Sequence, residues 1–293
     1  MILAEILRLN SASRARAYAG EVLVLRQVPS ALALCARFSL LLRGAGSTFD
    51  VDASETPFEQ REDLCQTFEL DEEVGVLFRE VFREAGVEGG GTYWDRPRLR
   101  IQQSGCGVDD VANSKLFGHG KFSSTLPPHR DTWASNIMQQ LNWWMPLEEI
   151  DEGRTMCFYP ELFDRAVPNT STGWDLDELR ARRKRGLPYP QLPELDHEGV
   201  AKDPLVSELM RPKYVRPLVG VRPGDVVVFS GAHLHSSVVN TTGLTRYSCE
   251  IRSVDARDLR KGIGAPNVDG EAARVPLHWF RNVDNQKLKL TAA

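Results

Sequence analysis

Apolar positions follow two regimes along this chain. Up to about residue 91 they recur at helical spacing; from Thr92 onward they alternate, or run continuously over short stretches. Residues 1–18 read as a short amphipathic helix with Ile2, Leu3, Ile6 and Leu7 on one side. Residues 21–26 are β-prone. Pro29-Ser30 opens an apolar helix through Leu42, closed by Gly44-Ala-Gly46. A further helix fits residues 71–85, where Val74, Leu77, Phe78, Val81 and Phe82 share a face, and Gly89-Gly-Gly91 ends it.

The second regime predicts strands over 98–103, 136–147, 155–159, 214–221, 226–230 and 246–253, with 121–125 leading into the 126–133 stretch. A Pro223-Gly224 turn separates two of them. Residues 160–212 interrupt the pattern with a predicted helix at 174–185 and a two-proline segment, Gly186-Leu-Pro-Tyr-Pro-Gln191. Such an excursion reads equally as a lid, a substrate-binding region or a plain surface loop. The predicted class is α+β with a mainly β core, a double-stranded β-helix or jelly-roll barrel flanked by N-terminal helices. One domain spans 1–293: a helical flank over 1–91, a core over 92–253 with the insertion at about 160–212, and a C-terminal extension over 254–293.

Composition narrows the function. At 42% apolar and 26% charged residues the 293-residue chain is that of an ordinary globular protein. A net charge of −4 gives no basic footprint for nucleic acid, and no apolar run reaches membrane-helix length. The five cysteines are scattered, with no C-x-x-C pair, which predicts free thiols in a reducing, cytoplasmic setting. Residues 1–20 carry Arg8, Arg14 and Arg16 against Glu5 alone, a slight likeness to an organelle presequence that a folded first helix outweighs.

Candidate chemistry begins at Leu126-Pro-Pro-His-Arg-Asp-Thr-Trp133. His129 and Asp131, two residues apart in an extended chain, would aim at one point. That is two thirds of a 2-His-1-carboxylate site for non-haem Fe(II). Two histidines downstream, His233 and His235, each follow the buried run at 226–229 and either could complete it. Iron so held keeps three open positions, enough for a chelating keto acid and O2. Arg246 is placed to anchor a distal carboxylate by a bidentate contact, and Ser248 shares its strand face.

From about Leu126 to Arg252 the sequence resembles the Fe(II)/2-oxoglutarate-dependent oxygenases, most closely their phytanoyl-CoA dioxygenase-like branch. Asp225, His235, Asn240 and Arg246 match the branch's spacing, which selects His235 over His233. Arg246-Tyr-Ser248 is similar to the motif that holds the distal carboxylate. The resemblance further implies Ser237 as a helper and Trp144 as a neighbour of 2-oxoglutarate. Gln140 and Asn142 share the face of Trp144 by alternation, Asn142 as a cosubstrate contact and Gln140 with the substrate. The branch's Pro-Gly-Ser-His segment is absent; Phe158-Tyr-Pro-Glu-Leu-Phe163 stands in its place, so no substrate class carries over.

The resemblance implies an oxygenase using Fe(II), 2-oxoglutarate and O2 on a small molecule, free or carrier-linked, with succinate and CO2 released. Retention of Asp131 favours hydroxylation over halogenation; desaturation, cyclisation and epoxidation would use the same residues. A cupin-like dioxygenase without 2-oxoglutarate, and a non-catalytic ligand-binding barrel, are the readings of other classes; Arg246 weighs against the first and an intact triad against the second. Trp133, Gln140, His233, Glu250 and Arg252 are candidate pocket residues. Three of these also have a plain structural reading, buried ion pairs for Glu250 and Arg252 and a satisfied core histidine for His233; one of Trp143 and Trp144 likewise reads as plain core.

Overall fold

The computed structural model describes residues 3–45, 58–105, 125–185, 192–273 and 275–291. Its strands are β1 (Ala4–Glu5), β2 (Leu23–Leu25), β3 (Thr92–Trp94), β4 (Arg98–Gln102), β5 (Gln140–Pro146), β6 (Met156–Phe158), β7 (Arg216–Pro217), β8 (Val226–Ser230), β9 (His235–Ser237), β10 (Arg246–Asp255) and β11 (Arg281–Asn282). They form two sheets. The larger is mixed, in the order β1-β2-β8-β5-β10-β3-β11, with β4 also paired to β10; the smaller runs β7-β6-β9. Long β10 is the hub. It pairs antiparallel with β5 along one edge, and with β4 and then β3 along the other.

Alternation divides the large sheet into two faces. One face presents Leu99, Ile101, Leu141, Trp143, Met145, Val226, Val228, Tyr247, Cys249 and Ile251 to the N-terminal helices, making the main apolar core. Those helices are α1 (Ser11–Tyr18), α2 (Pro29–Gly44), α3 (Phe58–Leu70) and α4 (Glu72–Glu84). Phe82 stands edge-on to Trp143 at 4.2 Å between ring centroids, and Phe38 meets Tyr247 at 5.0 Å. The opposite face turns toward the small sheet. There Trp144, Val227 and Phe229 pack on Met156 and Phe158, with the Phe158 and Phe229 rings 5.0 Å apart. The outer side of the small sheet carries Cys157, Tyr159 and Leu234, which the 160–212 segment covers with Leu162, Val167, Leu195 and Val206.

Helices predicted at 29–42 and 71–85 form as Pro29–Gly44 and Glu72–Glu84, the second capped by Asp71 accepting from the Val74 amide. The first helix is shorter than its apolar pattern suggests. Ala4–Glu5 pairs in parallel with β2, and the helix starts only at Ser11, where Asn10 and Ser13 form a reciprocal cap. Backbone bonds from Ala4 and Ile6 to the carbonyls of Val22 and Val24 hold that segment extended. Helix α3 had no counterpart in the predicted elements; its burial moment is weak, with glutamates and glutamines among its apolar positions. The strand at 136–147 begins only at Gln140, because Asn136 adopts φ 50° and closes a helical turn over Thr132–Ser135. At 214–221 only Arg216–Pro217 is strand. The insertion contains the predicted helix, Leu176–Lys184, and two short ones, His197–Lys202 and Pro204–Leu209. The stretch expected to lead in from residue 121 and the two-proline segment at 186–191 lie outside the described residues. Among the described residues, Cys35, Cys65, Cys157 and Cys249 are free thiols, and no helix is long and apolar enough to cross a membrane.

Candidate active site

The polar cleft between the sheets follows from sequence alternation. Gln140, Asn142 and Trp144 on β5 share a face with Arg246, Ser248, Glu250 and Arg252 on β10 and with Arg98, Arg100 and Gln102 on β4. Strand pairing aligns them: Arg246 opposes Gln102, Ser248 opposes Arg100, and Arg252 opposes Asn142.

Above this face lie the two histidines. His129 and His235 exchange backbone hydrogen bonds of 2.9 and 3.0 Å in an isolated antiparallel bridge, which puts their rings 4.4 Å apart. Each Nδ1 faces a carbonyl, Pro127 O at 2.8 Å for His129 and His233 O at 2.9 Å for His235. A carbonyl can only accept, so Nδ1 carries a proton in both rings and Nε2 is the nitrogen turned away from that contact. Burial, together with neighbouring His129, pushes the His235 pKa down to about 3, so its imidazole is neutral.

Asp131 is not extended. The chain turns helical at that residue (φ −63°, ψ −29°), and its carboxylate reaches the site from the start of a helical turn instead of from a strand. Asn142 Nδ2 donates to its Oδ2 at 2.6 Å and Arg252 Nη2 to its Oδ1 at 3.0 Å. Burial alone would raise the Asp131 pKa; the Arg252 guanidinium, with the Asn142 amide donor, holds it well below the usual carboxylate range. Among the described residues no three His, Cys, Asp or Glu side chains already converge as a metal cluster. The donor set nevertheless suits one: two imidazoles whose Nδ1–H groups are fixed by carbonyls, so that Nε2 is the nitrogen a metal would take, and a carboxylate with two of its four acceptor positions in use.

The anion end of the cleft is at Arg246. Its Nη1 donates to Thr155 O at 2.8 Å and its Nη2 reaches Ser237 Oγ at 3.5 Å, while its Nε has no hydrogen-bond partner among the described residues. Among the described residues no carboxylate forms an ion pair with it. Ser248 Oγ and Gln102 Oε1, on the same face, are also buried and unpartnered. Burial, with Arg100 nearby, lowers the Arg246 pKa to about 10, so the guanidinium stays charged at neutral pH. A buried cation with an unused donor beside an unused hydroxyl is an incomplete cradle for an anion.

The sequence-predicted residues divide accordingly. Asp131, Asn142, Glu250 and Arg252 are joined by hydrogen bonds and ion pairs, His129 and His235 are bridged to each other, and Arg246 reaches Ser237 and shares a strand face with Ser248. Trp144 lies in the apolar wall with Phe158 and Phe229. Gln140 donates to Asn142 Oδ1 at 3.0 Å and lies close against Gly231, where an added Cβ would come within 3.0 Å of its Nε2. Glu250 pairs with Arg100 at 2.5 Å, and although burial opposes it, Arg100 and Arg252 hold its pKa down to about 2. The plain structural readings fit Glu250 and Arg252, both in ion pairs, and His233. His233 sits in the turn after β8, not on β9; its Nδ1 and Nε2 face Ser230 O and Gly20 O, so no nitrogen is left for a metal. Trp133 is fully buried under the insertion, its indole donating to Asp269 Oδ1 at 2.8 Å.

Arg100, Gln102 and Asp95 are site residues that motif reading missed. The alternation in Arg98-Leu-Arg-Ile-Gln102 was the available signal, since it sets three polar side chains on one face of a strand whose other face is core. Asn240 and Asp225, singled out by spacing, organise the backbone. Asn240 Nδ2 bonds the carbonyls of Gln102 and Leu244 across the reversal into β10. Asp225 accepts from Arg26, the Gln27 amide and the Arg222 amide, tying β2 to the turn before β8.

No family model and no curated protein matches the chain. Among solved structures it is similar to the apo form of the non-heme monooxygenase ThoJ, at 14% identity and TM-score 0.48 over 83% of this chain and 77% of that one. It is similar to EvdO2 from Micromonospora carbonacea var. aurantiaca complexed with 2-oxoglutarate, at 14% identity and TM-score 0.44 over 86% and 94%. It is also similar to the epimerase SnoN in complex with Fe3+, alpha ketoglutarate and nogalamycin RO, at 19% identity and TM-score 0.41 over 84% and 85%. At these identities and scores the likenesses add no weight to a functional assignment, which rests on the site.

Proposed function

We propose that the chain is a non-haem Fe(II)- and 2-oxoglutarate-dependent oxygenase acting on a small molecule, with the two facing sheets as the halves of a jelly roll. The observation that carries this is Arg246: a buried guanidinium with an unpartnered Nε beside the unpartnered Ser248 Oγ, on the sheet face that also bears the ligand-holding residues. His129, Asp131 and His235 would hold the metal. Iron with its keto acid and O2 supplies oxidation of a substrate C–H bond, with succinate and CO2 as co-products.

The chain's own residues do the rest. Arg246 donates to the far carboxylate of the cosubstrate, Ser248 adds a hydroxyl donor, and Ser237 orients the guanidinium. Phe158 and Phe229 pack against the His235 ring and make the wall beside it apolar, which keeps water from the metal side of the site. The carbonyls of Pro127 and His233 fix both imidazole tautomers before any metal arrives. Asp131 favours hydroxylation over a halogenating variant because the carboxylate occupies the position a halide would need; desaturation, cyclisation and epoxidation share this residue set.

Equilibrium binding tests the reading. Anaerobic titration should show 2-oxoglutarate binding that requires prior addition of Fe(II). Equal affinity with and without metal, or no binding in either case, would refute it.

A further inference from the structure

Arg252, which sequence reading left between a pocket lining and a buried ion pair, has a more specific geometry. It opposes Asn142 directly across β10 and β5. Directly opposed residues of an antiparallel pair project their side chains to the same face, about 5 Å apart. Each of the two donates to a different oxygen of Asp131: Asn142 Nδ2 to Oδ2 at 2.6 Å, Arg252 Nη2 to Oδ1 at 3.0 Å. Rotation of the carboxylate about its Cβ–Cγ bond would break both contacts together.

The two donors are themselves braced. Gln140 Nε2 donates to Asn142 Oδ1 at 3.0 Å, which orients the amide so that Nδ2 points at Asp131. Arg252 lies between three carboxylates, with Glu250 and Asp95 each at 3.8 Å besides Asp131. Its backbone is pinned by Asp95, whose Oδ1 accepts from the Arg252 amide at 2.9 Å and whose amide donates to the Arg252 carbonyl at 3.0 Å. Glu250 is in turn held by Arg100. The Arg252 side chain keeps about a quarter of its surface exposed (24%), yet its terminal nitrogens point into this network and not outward.

We infer that Arg252 and Asn142 are positioning residues for Asp131. They hold its carboxylate in a fixed orientation by one donor per oxygen, which leaves the remaining lone pairs for a metal; Arg252 is not a substrate contact. This rests on the oxygenase reading of the site. A guanidinium and an amide on opposed strand positions do what the fold does for the histidines through backbone carbonyls.

Co(II), a spectroscopic stand-in for Fe(II), tests the inference without turnover. Arg252→Met should weaken Co(II) binding by about 10–100-fold, the range for losing such an outer partner. It should also alter the visible d–d spectrum of bound Co(II) while leaving the thermal transition cooperative. Arg252→Lys, which restores one donor, should recover part of the affinity, and Asn142→Leu should weaken binding independently should Arg252→Met fail to fold. Co(II) affinity and spectrum in Arg252→Met and Asn142→Leu matching wild type would overturn the positioning role. Failure of the wild-type protein to bind Co(II) would instead remove the oxygenase reading, and this inference with it.

Discussion

His129 and His235 meet through a reciprocal pair of backbone hydrogen bonds, 106 positions apart in the chain, and both turn Nδ1 to a carbonyl. This leaves the two Nε2 atoms as the nitrogens a metal would take. His235→Ala should therefore abolish tight metal binding, whereas His233→Ala should retain it. The reverse result in a metal titration would contradict the geometry.

His233 has its own prediction. It packs among Phe158, Phe163 and Phe229 and spans the carbonyls of Ser230 and Gly20. Burial pushes its pKa down to about 4, against the two facing carbonyls, which favour the protonated ring. His233→Ala should lower unfolding free energy by about 2–4 kcal/mol through the lost contacts and the void left behind. Chemical denaturation of the metal-free protein measures this; an unchanged midpoint would show that the side chain supports nothing.

Arg246→Ala should weaken 2-oxoglutarate binding by at least about 100-fold, since a charge-assisted bidentate contact is worth several kcal/mol in a dry cleft. Fe(II) affinity should change little, because the guanidinium touches no residue of the triad. Loss of both affinities together would place Arg246 in the fold and not in the site.

The hydrophobic core was more legible than the site. Val74, Phe78, Val81 and Phe82 recur at helical spacing, and all four are buried in the main apolar core. Phe82→Ala removes the ring that meets Trp94 and Trp143, and should cost about 3–5 kcal/mol. Alternation likewise foretold which β5 and β10 residues face the cleft. What sequence could not convey was where a pattern stops. The extended pairing of Ala4–Glu5 with β2 and the left-handed Asn136 depend on tertiary hydrogen bonds that leave no periodic signal. The turn at Asp131 is the instructive case. The tripeptide His129-Arg-Asp131 suggested a shared strand face, yet the carboxylate comes from a helical start, and Arg130 between them is anchored to Asp269 and to the carbonyls of Leu162, Phe163 and Arg165.

Acid stability follows from Asp225. Burial opposes its charge, but hydrogen bonds from Gln27, Arg26 and Arg222 hold its pKa below the ordinary 3.8. A carboxylate with a depressed folded-state pKa contributes stability that is present above the unfolded value and is lost as pH falls through the folded one. Stability should thus decline from about pH 4 downward, and Asp225→Asn should flatten that decline while lowering stability at pH 7. Urea midpoints measured from pH 7 to pH 3 would check it; an unaltered slope in the variant would assign the acid sensitivity elsewhere.

The central claim is that this cleft holds Fe(II) and 2-oxoglutarate together. The most direct measurement is the visible absorption of the protein with both added under anaerobic conditions. A keto acid chelating iron at His129, Asp131 and His235 should produce a metal-to-ligand charge-transfer band that is absent with either component alone and lost in His235→Ala. No band from metal-loaded wild-type protein, or an undiminished band in His235→Ala, would contradict the assignment.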